Sequence, residues 1–207
     1  MDVWDQVSAE RRELADLLDG LTPQQWDTAS LCTGWRVRDV VGHLIGGAEM
    51  TTGAAILGML KAGFRVEVML DREARHIGAS DVDELRRRMR AAVDSRRTPP
   101  GIKPVEMLVD VVVHGEDIRR PLGMMRPIPE ETLRLVADHL KGMSQSLLPG
   151  KKRVAGLYLE ATDIDWSTGA GPDVRGPAEA LVMSMSGRKV ALADLTGAGV
   201  DTLASRV

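Results

Sequence analysis

Residues 105–114 read Val-Glu-Met-Leu-Val-Asp-Val-Val-Val-His, so Asp110 and His114 stand inside an apolar, largely β-branched run. A run of that composition is buried in whatever element it forms, and the carboxylate is buried with it. An unpaired carboxylate in such surroundings is strongly disfavoured or shifts its pKa, so the fold must bring Asp110 a cation or several hydrogen-bond donors. The interval of four puts Asp110 and His114 on one face of either a helix or a strand. Helix is the better reading, because the pattern continues from about 103 to 120, roughly five turns.

A metal ion is one such cation, with Asp110 and His114 as adjacent ligands and a third donor from another element. His43 is the leading candidate, lying between Val41 and Leu44 on a long glycine-rich segment where an imidazole faces a bundle interior. Two histidines and a carboxylate leave a coordination position open, as a catalytic zinc site requires. The same donors suit nickel, manganese or ferrous iron. The residues also allow a plainer arrangement, in which Asp110 and His114 pair within their helix while His43 bonds a carbonyl. Spacing alone leaves both open.

Other polar residues receive simpler readings. Asp39, four before His43, falls in a first helical turn and suits the free amides there. Asp117, three after His114, suits a residue that orients the imidazole. Cys32 has no base beside it in sequence and reads as an inert buried thiol. His76 and His139 read as surface or packing residues, and Trp26 and Trp35 as walls of the core, with pocket lining the lesser reading for one of them.

Helices are expected over about 2–19, from Pro23, from Val37 through Leu60, over 69–77, from Ser80-Asp81 to about Arg96, over 103–120 with Pro121 as the stop, and from Pro129 to near Leu148. Beyond Pro149-Gly150 the pattern changes. Residues 154–162 and 164–166 read as strands, followed by a loop rich in glycine at 169, 171 and 176 and a helix from Pro177 to about Ser186. A weak strand or turn at 189–191 and a short helix close the chain. The fold class is therefore mainly α: a helical bundle over residues 1–149, then a small α+β domain over 150–207.

With 27 basic and 30 acidic residues the net charge is -3, which gathers neither nucleic acid nor anionic lipid. Arg86, Arg87, Arg88 and Arg90 lie beside Asp81, Asp83 and Glu84 and read as a solvated helix face. One cysteine excludes an internal disulfide. No apolar stretch is long enough to span a bilayer, and the first residues do not resemble a secretory signal, so a cytoplasmic location without membrane contact is expected.

The run from Ser30 to Leu44, with Gly34-Trp35 and His43 at its heart, resembles the first signature of the mycothiol-dependent maleylpyruvate isomerase-like family, an actinobacterial branch of the DinB superfamily. Val113-His114-Gly115-Glu116-Asp117-Ile118-Arg119-Arg120-Pro121-Leu122-Gly123 resembles the second. Residues 4–18 agree as well, and 161–166 and 175–188 are similar to the small carboxy-terminal domain of many members.

The resemblance implies a four-helix bundle that holds a divalent metal, usually zinc, through His43, Asp110 and His114. Asp110 departs from the isomerase itself, which carries glutamate there, and the reach is one methylene shorter. It also implies a metal-dependent transferase or isomerase with mycothiol as thiol cosubstrate, acting on a small electrophile as a monomer or homodimer. Arg119 and Arg120 are then candidates to pair with carboxylates of thiol or substrate. A metal-stabilised binding or regulatory module without turnover and a metal-dependent hydrolase are the competing functions.

Overall fold

Residues 2–144 and 149–207 are described by the structure, a computed structural model. The chain divides into two compact units, 1–125 and 126–207.

The first unit contains α1 (Val3–Asp19), α2 (Pro23–Trp26), α3 (Val37–Glu49), α4 (Thr52–Lys61), α5 (Val66–Gly78), α6 (Val82–Ala92) and α7 (Pro104–Leu122). Helices α1, α7, α3 and α6 contact one another in a closed ring, α1 on α7, α7 on α3, α3 on α6 and α6 on α1, which is a four-helix bundle. Its core is lined by Val7, Leu14, Leu18, Val40, Ile45, Leu85 and Leu108, all inaccessible or nearly so. The arginines of α6 are engaged within the protein. Arg87 pairs with Glu84, Arg88 with Glu49, and Arg90 with Asp16 and Asp19, while Arg86 pairs with Asp83 and donates to the carbonyls of Leu18 and Leu21.

Helix α5 packs along α3 through glycine. A Cβ at Gly42 would lie 2.3 Å from the Ala74 carbonyl oxygen, and one at Gly78 would lie 2.7 Å from Asp39 Oδ1. The glycines therefore serve close helix approach.

Two helix boundaries differ from expectation. The helix expected from Val37 through Leu60 is broken at Met50, because Thr51 caps a new helix with its hydroxyl accepting from Ala54 N at 3.2 Å. Pro121 does not stop α7 but lies in its last turn, and Gly123 (φ +67°) ends the helix, with Met124 N bonding back to the Arg119 carbonyl. Proline has no N–H for the carbonyl four residues earlier. That carbonyl, of Asp117, instead accepts from Leu31 N at 3.1 Å, which fastens the 28–36 loop to α7.

The second unit contains α8 (Glu130–Leu140), α9 (Gly150–Val154), β1 (Tyr158–Ala161), β2 (Ser167–Gly169), β3 (Asp173–Gly176), α10 (Ala178–Met185), a 3-10 helix (Lys189–Asp194) and α11 (Val200–Ala204). The sheet order is β2-β1-β3, antiparallel on one side and parallel on the other. Helix α8 packs on α10, so the division between units falls before α8, whereas the sequence places it at 149/150. The expected end of that helix near Leu148 lies outside the described residues; α8 itself closes at Leu140. β3 occupies what reads as a glycine-rich loop, and the expected strand at 164–166 is displaced to β2. No helix among the described residues is long and apolar enough to cross a membrane.

Candidate metal centre

His43 lies two turns into α3, whose start is fixed by Asp39: its fully buried carboxylate accepts from Arg36 N at 2.9 Å and is forked by the Arg36 guanidinium. Asp39 is thus committed to the helix start, as its first-turn position suggests. Asp110 and His114 stack one turn apart in the middle of α7.

The bundle brings the three together. Asp110 Oδ1 lies 3.2 Å from His43 Nε2 and 3.5 Å from His114 Nε2, and the three ligand atoms fall within 4.8 Å of one another. The imidazoles meet edge to face, with ring centroids 4.8 Å apart. Side-chain exposures of 14% for each histidine and 26% for Asp110 leave the cluster reachable from outside.

Burial is the largest influence on the Asp110 carboxyl and pushes its pKa up. The charge and hydrogen bond of His43, with the charges of His114 and Arg11, together outweigh it and hold the group below the ordinary carboxylate range. Arg11, itself buried, donates to the carbonyls of Ala92 and Ser95. Desolvation lowers its own pKa, and Asp110 partly offsets that.

Behind the trio sits a second layer. Asp117, fully buried, has its Oδ2 2.9 Å from His114 Nδ1 and accepts the Cys32 thiol proton at 3.0 Å on the same atom. A carboxylate in that position holds the imidazole proton on Nδ1 and presents Nε2 towards Asp110. Cys32 Sγ is 3.4 Å from His114 Nδ1. The thiol is therefore in contact with the site and not an isolated core residue. Sequence gave no sign of this, because the contact spans 82 positions.

The tryptophans separate into two roles. Trp26 is core, with Arg86 over its ring. Trp35 tilts against both imidazoles, 5.4 Å from His43 and 6.3 Å from His114 between centroids. Its indole N–H donates to Asp71 Oδ1 of α5 at 2.8 Å, and this hydrogen bond most of all holds the Asp71 carboxyl below its usual range.

Among the described residues two donor groups share His114: His43, Asp110 and His114, or Cys32, His114 and Asp117. Ligands about 2.1 Å from a tetrahedral ion lie about 3.4 Å apart. The 3.2 and 3.5 Å separations in the first group suit that spacing. In the second, the 2.9 and 3.0 Å distances to Asp117 Oδ2 are those of hydrogen bonds and would have to lengthen around an ion. The donor chemistry and spacing of the first group fit a divalent metal.

Arg119 is turned into the bundle, buried, with its guanidinium donating to the Glu13 carbonyl of α1 at 3.2 Å. Arg120 is half-buried in the last turn of α7. Neither contributes to the donor groups. His76 is exposed and His139 half-buried.

Residues 7–119 match the model of the family described as Mycothiol maleylpyruvate isomerase N-terminal domain. Among solved structures, the crystal structure of the mycothiol-dependent maleylpyruvate isomerase superposes with a TM-score of 0.64 at 16% identity, covering 95% of this chain and 91% of that one. A histidine-to-alanine mutant of that enzyme gives a TM-score of 0.63 at 15% identity, with 95% and 91% of the two chains covered. No curated protein matches the chain. At such identities the structural likeness speaks for the fold alone, whereas the family match covers more than half of the sequence and takes in all three donor residues. The chain belongs to the mycothiol maleylpyruvate isomerase N-terminal domain family.

Proposed function

We propose that this protein is a divalent-metal-dependent enzyme of the thiol transferase or isomerase kind, using mycothiol against a small electrophilic substrate in the cytoplasm, as a monomer or homodimer. The observation that carries this reading is the convergence of His43, 67 positions distant from Asp110, on a pair that needs a cation, with the cluster still reachable from outside.

His43, Asp110 and His114 would hold the ion. Zinc is the first choice for such donors, with nickel, manganese and ferrous iron also suited to them. A divalent ion there would supply Lewis acidity, lowering the pKa of a thiol so that it reacts as a thiolate near neutral pH. The chain's own residues set the geometry. Asp117 keeps His114 in one tautomer, Trp35 packs beside both imidazoles, and His43, with the charges of His114 and Arg11, keeps Asp110 ionised against its burial. Arg119 serves the α1–α7 contact, which leaves Arg120 as the arginine to test for a thiol or substrate carboxylate.

Elemental analysis of the native protein beside His43→Ala and His114→Ala tests the centre: both variants should lose the bound metal, and full retention in both would sink the trio. Turnover is tested with maleylpyruvate, the substrate named for the structural relatives, with and without mycothiol. Thiol-dependent conversion by metal-loaded protein alone is the expected result. Ester hydrolysis without thiol would point to a hydrolase instead, and inactivity of loaded and metal-free protein alike to a binding module.

A further inference from the structure

Helix α4 is apolar on both of its sides. Ala55, Gly58, Met59 and Ala62, at helical spacing, form the more buried side, and a Cβ at Gly58 would lie 3.0 Å from Met69 Cγ and Sδ of α5. Ile56, Leu57 and Leu60 form the opposite side and are 58%, 52% and 56% exposed. Between Thr51 and Phe64 the sequence carries one charge, Lys61. A helix without a polar face belongs in an interior or against a partner.

Phe64, the chain's one phenylalanine, stands at the C-terminal edge of α4 and is 72% exposed. Its backbone is left-handed at φ +59°, directly after Gly63 at φ +61°. A bulky side chain is rarely held in that region. Phe64 N nevertheless bonds the Met59 carbonyl at 2.8 Å, so the turn that closes α4 fixes the backbone from which the ring meets solvent. The other exposed large apolar side chains among the described residues, Met125 and Val190, lie outside α4 and its turn.

The geometry points to a second copy of this chain on the outer side of α4, the two helices packed antiparallel about a twofold axis beside Leu57. This inference is independent of the thiol reading. At the exposures given, the four side chains offer about 500 Å² of apolar surface, near the upper end for the largest patch of a monomer. Two copies face to face would bury about 1,000 Å² from these side chains alone, the least that a specific association needs. Exposed Thr52, Gly53, Ala54 and Lys61 add to it. A side free of charge can oppose itself without repulsion, as a twofold contact requires. Charge also sets the direction. Lys61, Arg65 and Arg72 are exposed at the C-terminal end of α4, where Arg72 Nη1 donates to the Lys61 carbonyl at 2.9 Å. Antiparallel packing sets that end against the uncharged Thr51 and Thr52 of the second copy and opposes the helix dipoles, whereas parallel packing would bring the cations together. An anionic lipid surface is less well matched, because a helix lying on one carries cations along its length and the chain's net charge is -3.

An interface of this size predicts a dissociation constant of micromolar order, so sedimentation velocity of the full chain from about 1 to 100 µM should show the mass rising from 22.5 kDa towards twice that. Leu57→Glu sets two carboxylates across the axis and should raise the constant at least about 100-fold, and Leu57→Lys likewise. An equal mixture of the two should restore the dimer, since the axis then pairs opposite charges. Because Leu57 is exposed, both variants should keep the wild-type circular dichroism. Val190→Glu, in the second unit, should leave dimerisation unchanged. A wild type that stays at 22.5 kDa throughout would overturn the inference. So would a dimer indifferent to Leu57→Glu, or a Glu and Lys mixture that stays monomeric. Flotation with vesicles of phosphatidylglycerol and phosphatidylcholine, by a wild type that does not self-associate and lost in Leu57→Glu, would give this side of α4 to lipid and also overturn it.

Discussion

Asp110 survives among valines because three cationic or donor groups act on it, two of them brought from other helices. Its pKa is depressed in the folded chain, so the stability it contributes is fully present above its unfolded value of 3.8 and is lost as pH falls through the lower folded value. In metal-free protein, Asp110→Asn should cost about 1–2 kcal/mol at neutral pH, the scale of a hydrogen bond to a charged group. Urea denaturation should show that difference shrinking as pH falls below 3.8, where the unfolded carboxyl takes up a proton before the folded one does. Asp117 acts one layer further out. Asp117→Asn should weaken metal affinity about 10- to 100-fold without abolishing binding, measured by competition with a chromophoric chelator. The sequence carried part of this site openly. A charged residue in a β-branched run marks itself, and the four-residue interval identifies its partner whichever element forms. Cys32 carries no such mark, because the loop residue gains its meaning only from His114 and Asp117 on α7.

At the level of elements, the close approach of α3 and α5 depends on Gly42 as much as on apolar burial. Gly42→Ala would place a methyl 2.3 Å from a backbone oxygen that cannot rotate away. The variant should lose about 1–3 kcal/mol, the range for overpacked interiors, and urea denaturation should show it. Glycines in a helical pattern announce such a contact, but they do not say which helix makes it. Helix starts were legible where a side chain caps, as with the Thr22 capping box and Asp81 accepting from Asp83 N at 2.9 Å. The break at Met50 was not, because apolar residues continue in helical register on both sides of it. β3 was hidden for the opposite reason: Gly171 precedes and Gly176 ends a four-residue strand in which Val174 is the buried apolar side chain.

In the whole molecule, the donor residues belong to the first unit, on helices α3 and α7 that face each other within the bundle. Metal binding should therefore act as a cross-tie between them. Zinc at 100 times its dissociation constant should add about 2.7 kcal/mol of stability by mass action, with the gain in amide protection concentrated in α3 and α7. Hydrogen exchange of loaded against metal-free protein measures this, and protection spread evenly over the chain would argue against the site. Mainly helical class and the bundle were readable from periodicity, whereas the division between units was not, since α8 has the same amphipathic pattern as its predecessors. Pro121 links these scales. Because its nitrogen bears no hydrogen, α7 carries a socket in its own backbone ladder, and the plug is the amide of Leu31, the neighbour of Cys32. Restoring that hydrogen with Pro121→Ala would let the helix fill the socket itself. Exchange at Leu31 should then quicken about two- to tenfold, the worth of one backbone bond, while α7 stays intact. A substitution seven residues beyond His114 would thereby loosen the thiol and the indole that flank that imidazole, because a gap in the backbone bonding of one helix is where a distant strip of chain is fastened.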